Sequence, residues 1–125
     1  MLPLEKTKPE IDLSKHTILI HGRPKIGKST LASQLFPNGL FLATESGLNF
    51  LSVYKINITS WTKFLEVCGE IAKEPTKFSP IIIDTIDVLM SYCTEYVCER
   101  EKINHPSDYD YGKGWSMVSK ELYRA

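Results

Sequence analysis

Residues Gly22-Arg23-Pro24-Lys25-Ile26-Gly27-Lys28-Ser29-Thr30 follow the pattern GxxxxGK[ST], an arrangement suited to holding the phosphates of a nucleoside triphosphate. Gly22 and Gly27 let the backbone turn so that successive N–H groups point at β- and γ-phosphate oxygens. Lys28 supplies a mobile point charge to the same oxygens, and the Ser29 hydroxyl can ligate Mg²⁺. A helix starting near Lys28 adds the positive end of its dipole. The whole nine-residue loop is therefore the expected nucleotide-binding segment.

Two acids downstream extend this chemistry. Ile81-Ile82-Ile83-Asp84 reads as an apolar strand ending in a carboxylate, about fifty residues beyond the loop, where it can hold Mg²⁺ beside Ser29, directly or through water. Hydrolysis also needs a group that orients or deprotonates the attacking water. Thr85 follows Asp84, where many ATPases carry a Glu, so the base must come from elsewhere. Glu45 ends the apolar run Leu40-Phe41-Leu42-Ala43 and is the natural candidate. GTPase chemistry is disfavoured, because Asp87 stands where a DxxG motif needs Gly and no NKxD motif occurs.

The elements that must place these residues can be read from periodicity. Thr17-Ile18-Leu19-Ile20-His21 predicts a strand, Ser29 to Leu35 a helix, and Leu40 to Ala43 a strand buried on both faces. A weak strand is expected near Tyr54 to Ile58. Ser60 is placed to cap a helix carrying Trp61, Phe64, Leu65, Cys68, Ile71 and Ala72 on one stripe. A third buried strand covers Ile81 to Asp84, and a helix runs from Asp87 to about Lys102. Asn104 to Gly114 predicts a loop or lid, with His105 an ordinary loop residue, and helical spacing restarts at Trp115. Alternating strands and helices argue for a parallel sheet with right-handed crossovers, with Lys28, Glu45 and Asp84 all at carboxyl ends of strands.

With 125 residues, the chain has room for one domain and a modest core. Lys plus Arg and Asp plus Glu both number 15, so global charge argues for neither nucleic acid nor a membrane surface. No run approaches the roughly 20 apolar residues of a membrane span, no secretory leader opens the chain, and a cytoplasmic setting is expected. Cys68, Cys93 and Cys98 lack metal-ligand spacing and read as reduced thiols.

Together, GRPKIGKST, LFLATESG, IIIDTID and HPSDYDYGKGW resemble the phage and prophage nucleotide-binding ATPases of the RecA-like group, from about Ile11 to the end of the chain. The resemblance implies a RecA-like parallel sheet with flanking helices, ATP and Mg²⁺ as ligands, Glu45 as the water-activating acid, and a role with single-stranded DNA in recombination or annealing. Tyr109, Tyr111 and Lys113, with Trp115 nearby, could offer stacking faces and a phosphate contact. The competing reading is that these aromatics pack against the preceding helix. A homo-oligomer is compatible with the same resemblance.

Sheets of that group place a later strand between the phosphate-loop strand and the metal-acid strand. Residues 1–125 are accordingly expected to form a single, partial P-loop NTPase domain with residues 1–16 as a polar arm, part of a longer or truncated protein. Its incomplete core should expose Ile18, Ile20, Ile82 or their neighbours. In a chain stable by itself, the first and third strands pair directly or another chain supplies what is missing. The leading function is ATP binding with hydrolysis. The runner-up is a nucleotide-controlled switch without efficient turnover, and a small-molecule kinase is weak because only Arg100 and Arg124 lie beyond the loop.

Overall fold

Leu40–Ala43 forms strand β1, and all of its residues are buried. In the computed structural model, which describes residues 1–125, β1 is the centre of the sheet. Tyr54–Asn57 forms β2 and Ile81–Asp84 forms β3. Both pair with β1 in parallel, in the order β2-β1-β3. The register sets Ala43 opposite both Asn57 and Asp84, so the three strands end level.

Four helices surround the sheet: α1 (Lys28–Leu35), α2 (Trp61–Lys73), α3 (Ile86–Glu101) and α4 (Lys113–Arg124). The Ser60 hydroxyl accepts from the Lys63 amide at 3.1 Å and starts α2, which satisfies one of the free amides of its first turn. Alternation along β1 divides the interior in two. Leu40 and Leu42 join Ile58, Trp61, Phe64, Val67, Leu89, Cys93, Val97 and Val118 in a core beneath α2, α3 and α4. Phe41 and Ala43 face a smaller cluster with Ala32 of α1 and Leu48. Cys93 and Cys98 are buried and Cys68 half-buried, all with free thiols, and burial pushes the Cys93 thiol up to about 11.

An ion network around one buried carboxylate holds α4 in place. Glu121, only 5% exposed, accepts from the Trp61 indole at 2.8 Å. It also accepts from Arg124 at 2.7 and 3.1 Å and from Arg100 at 3.3 Å. The segment before α4 is folded rather than free. Pro106–Asp108 and Asp110–Gly112 are 3₁₀ turns. The His105 ring accepts from the Ser107 amide while the Asp108 carboxylate accepts from the His105 amide, a reciprocal cap. Gly114 lies against Pro106 so closely that a Cβ there would overlap the Pro106 carbonyl.

Four expectations are corrected. Thr17 to His21 forms no strand; a strand needs a neighbour to complete its hydrogen bonds, and the only three strands are β1, β2 and β3. The pairing of first and third predicted strands is therefore absent, and Ile18 and Leu19 are exposed while Ile20 packs on the small cluster. β3 is not fully buried either: Ile81 and Ile83 remain 39% and 38% exposed, because nothing covers its outer side. Finally, His105 caps a turn and sets its ring edge-on to Trp115 at 5.5 Å, more than an ordinary loop position.

Candidate nucleotide site

The phosphate loop owes its path to two left-handed residues. Gly27 has φ +104°, a conformation that costs a glycine little, and it hands the chain into α1. Lys25 has φ +61° despite carrying a side chain, and sequence reasoning did not anticipate it. Between them the loop curls around the Lys28 ammonium, which donates to the Gly22 and Arg23 carbonyls at 2.8 Å each. Arg23, Pro24, Lys25, Ile26 and Thr30 are exposed, with Lys28 and Ser29 half-buried. Lys28 thus already points inward, and phosphate oxygens can replace the two carbonyls as its partners.

The first turn of α1 meets the end of β3. Ser29 Oγ donates to Asp84 Oδ2 at 2.5 Å across 55 residues of sequence. The loop and the acid strand, inferred separately from sequence, therefore share one site. The donor set is one of hard oxygens: the Ser29 hydroxyl, the Asp84 carboxylate and, next in sequence, a buried Thr85 hydroxyl without a hydrogen-bond partner. That set fits Mg²⁺, which favours one or two protein oxygens together with phosphates and water. No group of three or more His, Cys, Asp or Glu is gathered elsewhere.

Thr44 fastens the neighbouring strand to this acid. Its amide donates to the Asp84 carbonyl at 2.8 Å, and its hydroxyl accepts from the Thr85 amide at 2.9 Å. Glu45 follows at once, two residues beyond Ala43, the residue that pairs with Asp84 across β1 and β3. It is exposed, and its carboxylate does not cap the 3₁₀ turn Ser46–Phe50 that it precedes. The structure therefore joins Ser29 and Asp84 by direct contact, holds the neighbouring Lys28 on the loop carbonyls, and sets Glu45 just past the end of the adjacent strand.

Tyr109, Tyr111 and Lys113 lie apart from this cluster, at the turns that lead into α4. Lys113 sits over the Tyr109 ring at 5.0 Å, an attraction between a cation and an aromatic face. Tyr111 is fully exposed with φ +57°. A concavity of about 600 Å³ runs along α3 past His105 and Trp115 and includes none of Lys28, Ser29, Glu45 or Asp84.

Comparison with known proteins agrees with the geometry. The chain is similar to the SPbeta prophage-derived uncharacterized protein YorG of Bacillus subtilis (strain 168), at 30% identity over 117 residues. The aligned region covers 89% of this chain and 36% of that relative, so the chain spans about a third of the relative's length. No solved structure matches significantly, and no helix is long and apolar enough to cross a membrane. A family described as AAA domain matches residues 14–125, nearly all of the sequence and the whole of the site. With Ser29 and Asp84 in contact beneath a phosphate loop, the chain belongs to the AAA domain family of P-loop ATPases.

Proposed function

We propose that this chain binds ATP with Mg²⁺ through Gly22–Thr30 and Asp84, and that Glu45 orients the water that attacks the γ-phosphorus. The observation that carries the reading is the Ser29–Asp84 contact, which joins phosphate loop and acid strand in one place. Lys28 and the loop amides hold the phosphates, Ser29 and Asp84 hold the metal, and the ion's part is to neutralise charge on the β- and γ-oxygens. The water oxygen bonds to the γ-phosphorus as its bond to the bridging oxygen breaks, and Glu45 takes the water's proton. ADP and phosphate leave. Residues 1–125 act in this reading as one partial nucleotide-binding domain preceded by a polar arm, within a cytoplasmic protein of a bacterium or phage-infected cell.

The finer reading is that nucleotide state controls engagement of single-stranded DNA in phage-type recombination or annealing, with a homo-oligomer as the assembled form. Its support is the fully exposed Tyr111 ring beside Tyr109 and Lys113, and the name of the similar protein, which marks that protein as prophage-derived. A second reading, a nucleotide-binding switch without efficient turnover, is favoured by one observation: Glu45 is solvent-exposed, and its carboxylate makes no bond to the turn that follows.

Titration calorimetry and phosphate release with and without single-stranded DNA separate these readings. Lys28→Ala is expected to weaken ATP binding by about tenfold to a hundredfold, the loss of a charged hydrogen-bonding partner. Glu45→Gln is expected to bind as the parent does and to lose about 10² to 10⁴ in turnover. Unchanged turnover in Glu45→Gln removes it as the base, whereas equal and negligible turnover in parent and variant favours the switch. Stimulation by DNA that disappears in Tyr111→Ala supports the finer reading, and no response to DNA rejects it.

A further inference from the structure

Thr44 lies outside both the phosphate loop and the acid positions, yet it holds the end of the acid strand more extensively than any other side chain. The β1–β3 pairing ends at Ala43 opposite Asp84. One residue further on, the Thr44 hydroxyl donates to the Asp84 carbonyl at 3.2 Å, with the Thr85 carbonyl at 3.4 Å on the same side. The same oxygen accepts from the Thr85 amide at 2.9 Å, while the Thr44 amide donates to Asp84 at 2.8 Å. Thr85 is the residue on which α3 begins, and its own side chain makes no capping bond. A single hydroxyl therefore ties both sides of the Asp84–Thr85 linkage to the strand that delivers Glu45.

We propose that Thr44 is a positioning residue for the metal side of the nucleotide site: its hydroxyl fixes the backbone of Asp84 and Thr85, and so sets how the Asp84 carboxylate and Glu45 face bound Mg²⁺–ATP. The inference rests on the assignment of Asp84 and Ser29 as metal ligands made above. Groups that orient a metal ligand tune metal affinity without touching the ion. Valine has nearly the shape of threonine but neither donates nor accepts, so Thr44→Val leaves the Thr85 amide without its acceptor. Serine restores the hydroxyl and removes only a methyl group. The chemistry at issue is the hydroxyl, and these two variants isolate it.

The test is the gain in ATP affinity on adding Mg²⁺, measured by calorimetry against ATP in a metal chelator, for the parent, Thr44→Ser, Thr44→Val and Asp84→Asn. Thr44→Val is expected to bind metal-free ATP as the parent does and to lose about tenfold or more of the Mg²⁺-dependent gain, with Thr44→Ser within about twofold of the parent. A full Mg²⁺-dependent gain in Thr44→Val, or the same loss in Thr44→Ser, overturns the proposal. If Asp84→Asn loses the gain while Thr44→Val keeps it, Thr44 alone is misassigned. If Asp84→Asn keeps it, the metal assignment fails and the role of Thr44 fails with it. Hydrogen exchange in the parent gives a reading that needs no variant: Mg²⁺ added to the ATP-bound protein is expected to slow exchange of the Thr85 amide, and unaltered exchange overturns the proposal.

Discussion

The two faces of β1 differ sharply in how they are covered. Leu40 and Leu42 look onto a ten-residue core closed by α2, α3 and α4. Phe41 and Ala43 look onto a cluster of four with α1, and Leu31 and Leu35 of that helix stay exposed. The thick side supplies stability, since free energy from burial scales with the apolar area removed from water. The phosphate loop lies on the thin side. The difference teaches that stability and chemistry are carried by opposite faces of one strand, so that changes to one need not disturb the other.

The largest expected effect lies on the thick side. Trp61→Ala removes a fully buried indole and the hydrogen bond it gives to Glu121, and should cost about 3–5 kcal/mol in a urea unfolding series. A loss below about 1 kcal/mol would mean that this core relaxes around the gap, and the contrast between faces would weaken. The next effect is pH-dependent. Hydrogen bonds from Arg124 hold the Glu121 carboxyl below the usual glutamate range against the opposing effect of burial, with Trp61 and Arg100 adding to the same direction. A depressed folded pKa means that this stabilisation is complete above the unfolded value of about 4.5 and is lost as pH falls through the folded one. The parent should therefore lose stability below that range more steeply than Glu121→Gln, and parallel curves would remove Glu121 as the acid-sensitive group. The smallest effect belongs to the thin side: Leu31→Ser, on the exposed face of α1, should shift unfolding by about 0.5 kcal/mol or less. A larger loss would show a core on that side deeper than the structure displays.

Much of this arrangement was legible in sequence because the carriers are local. β1 follows from four consecutive apolar residues, and α2 from Ser60 and the stripe behind it, although that stripe omitted the buried Val67. The Ser29–Asp84 pair was also within reach, since the phosphate-loop pattern and the apolar run before Asp84 each encode a place at the same strand ends. What was not legible depends on neighbours. Thr17 to Ile20 has the composition of a strand, but pairing is a property of two segments, and no strand lies beside it. Thr44 gave no signal, because its value comes from the Thr85 amide 41 residues away. Glu121 was invisible for the same reason: an acid in an amphipathic helix looks solvent-facing until Trp61, Arg100 and Arg124 are known to converge on it.

The Ser29–Asp84 contact has a further consequence as a clasp. It closes a loop of 55 residues, and in the unfolded chain those two ends are apart, with a closure cost that grows with the logarithm of loop length. A ligand that grips both ends binds the folded chain and has nothing to grip in the unfolded one. Occupancy is then converted into resistance to heat, by about 2.7 kcal/mol at a hundred times the dissociation constant. The thin side of the sheet would be made firm by a bound nucleotide, and a melting curve becomes a gauge of whether the clasp is shut.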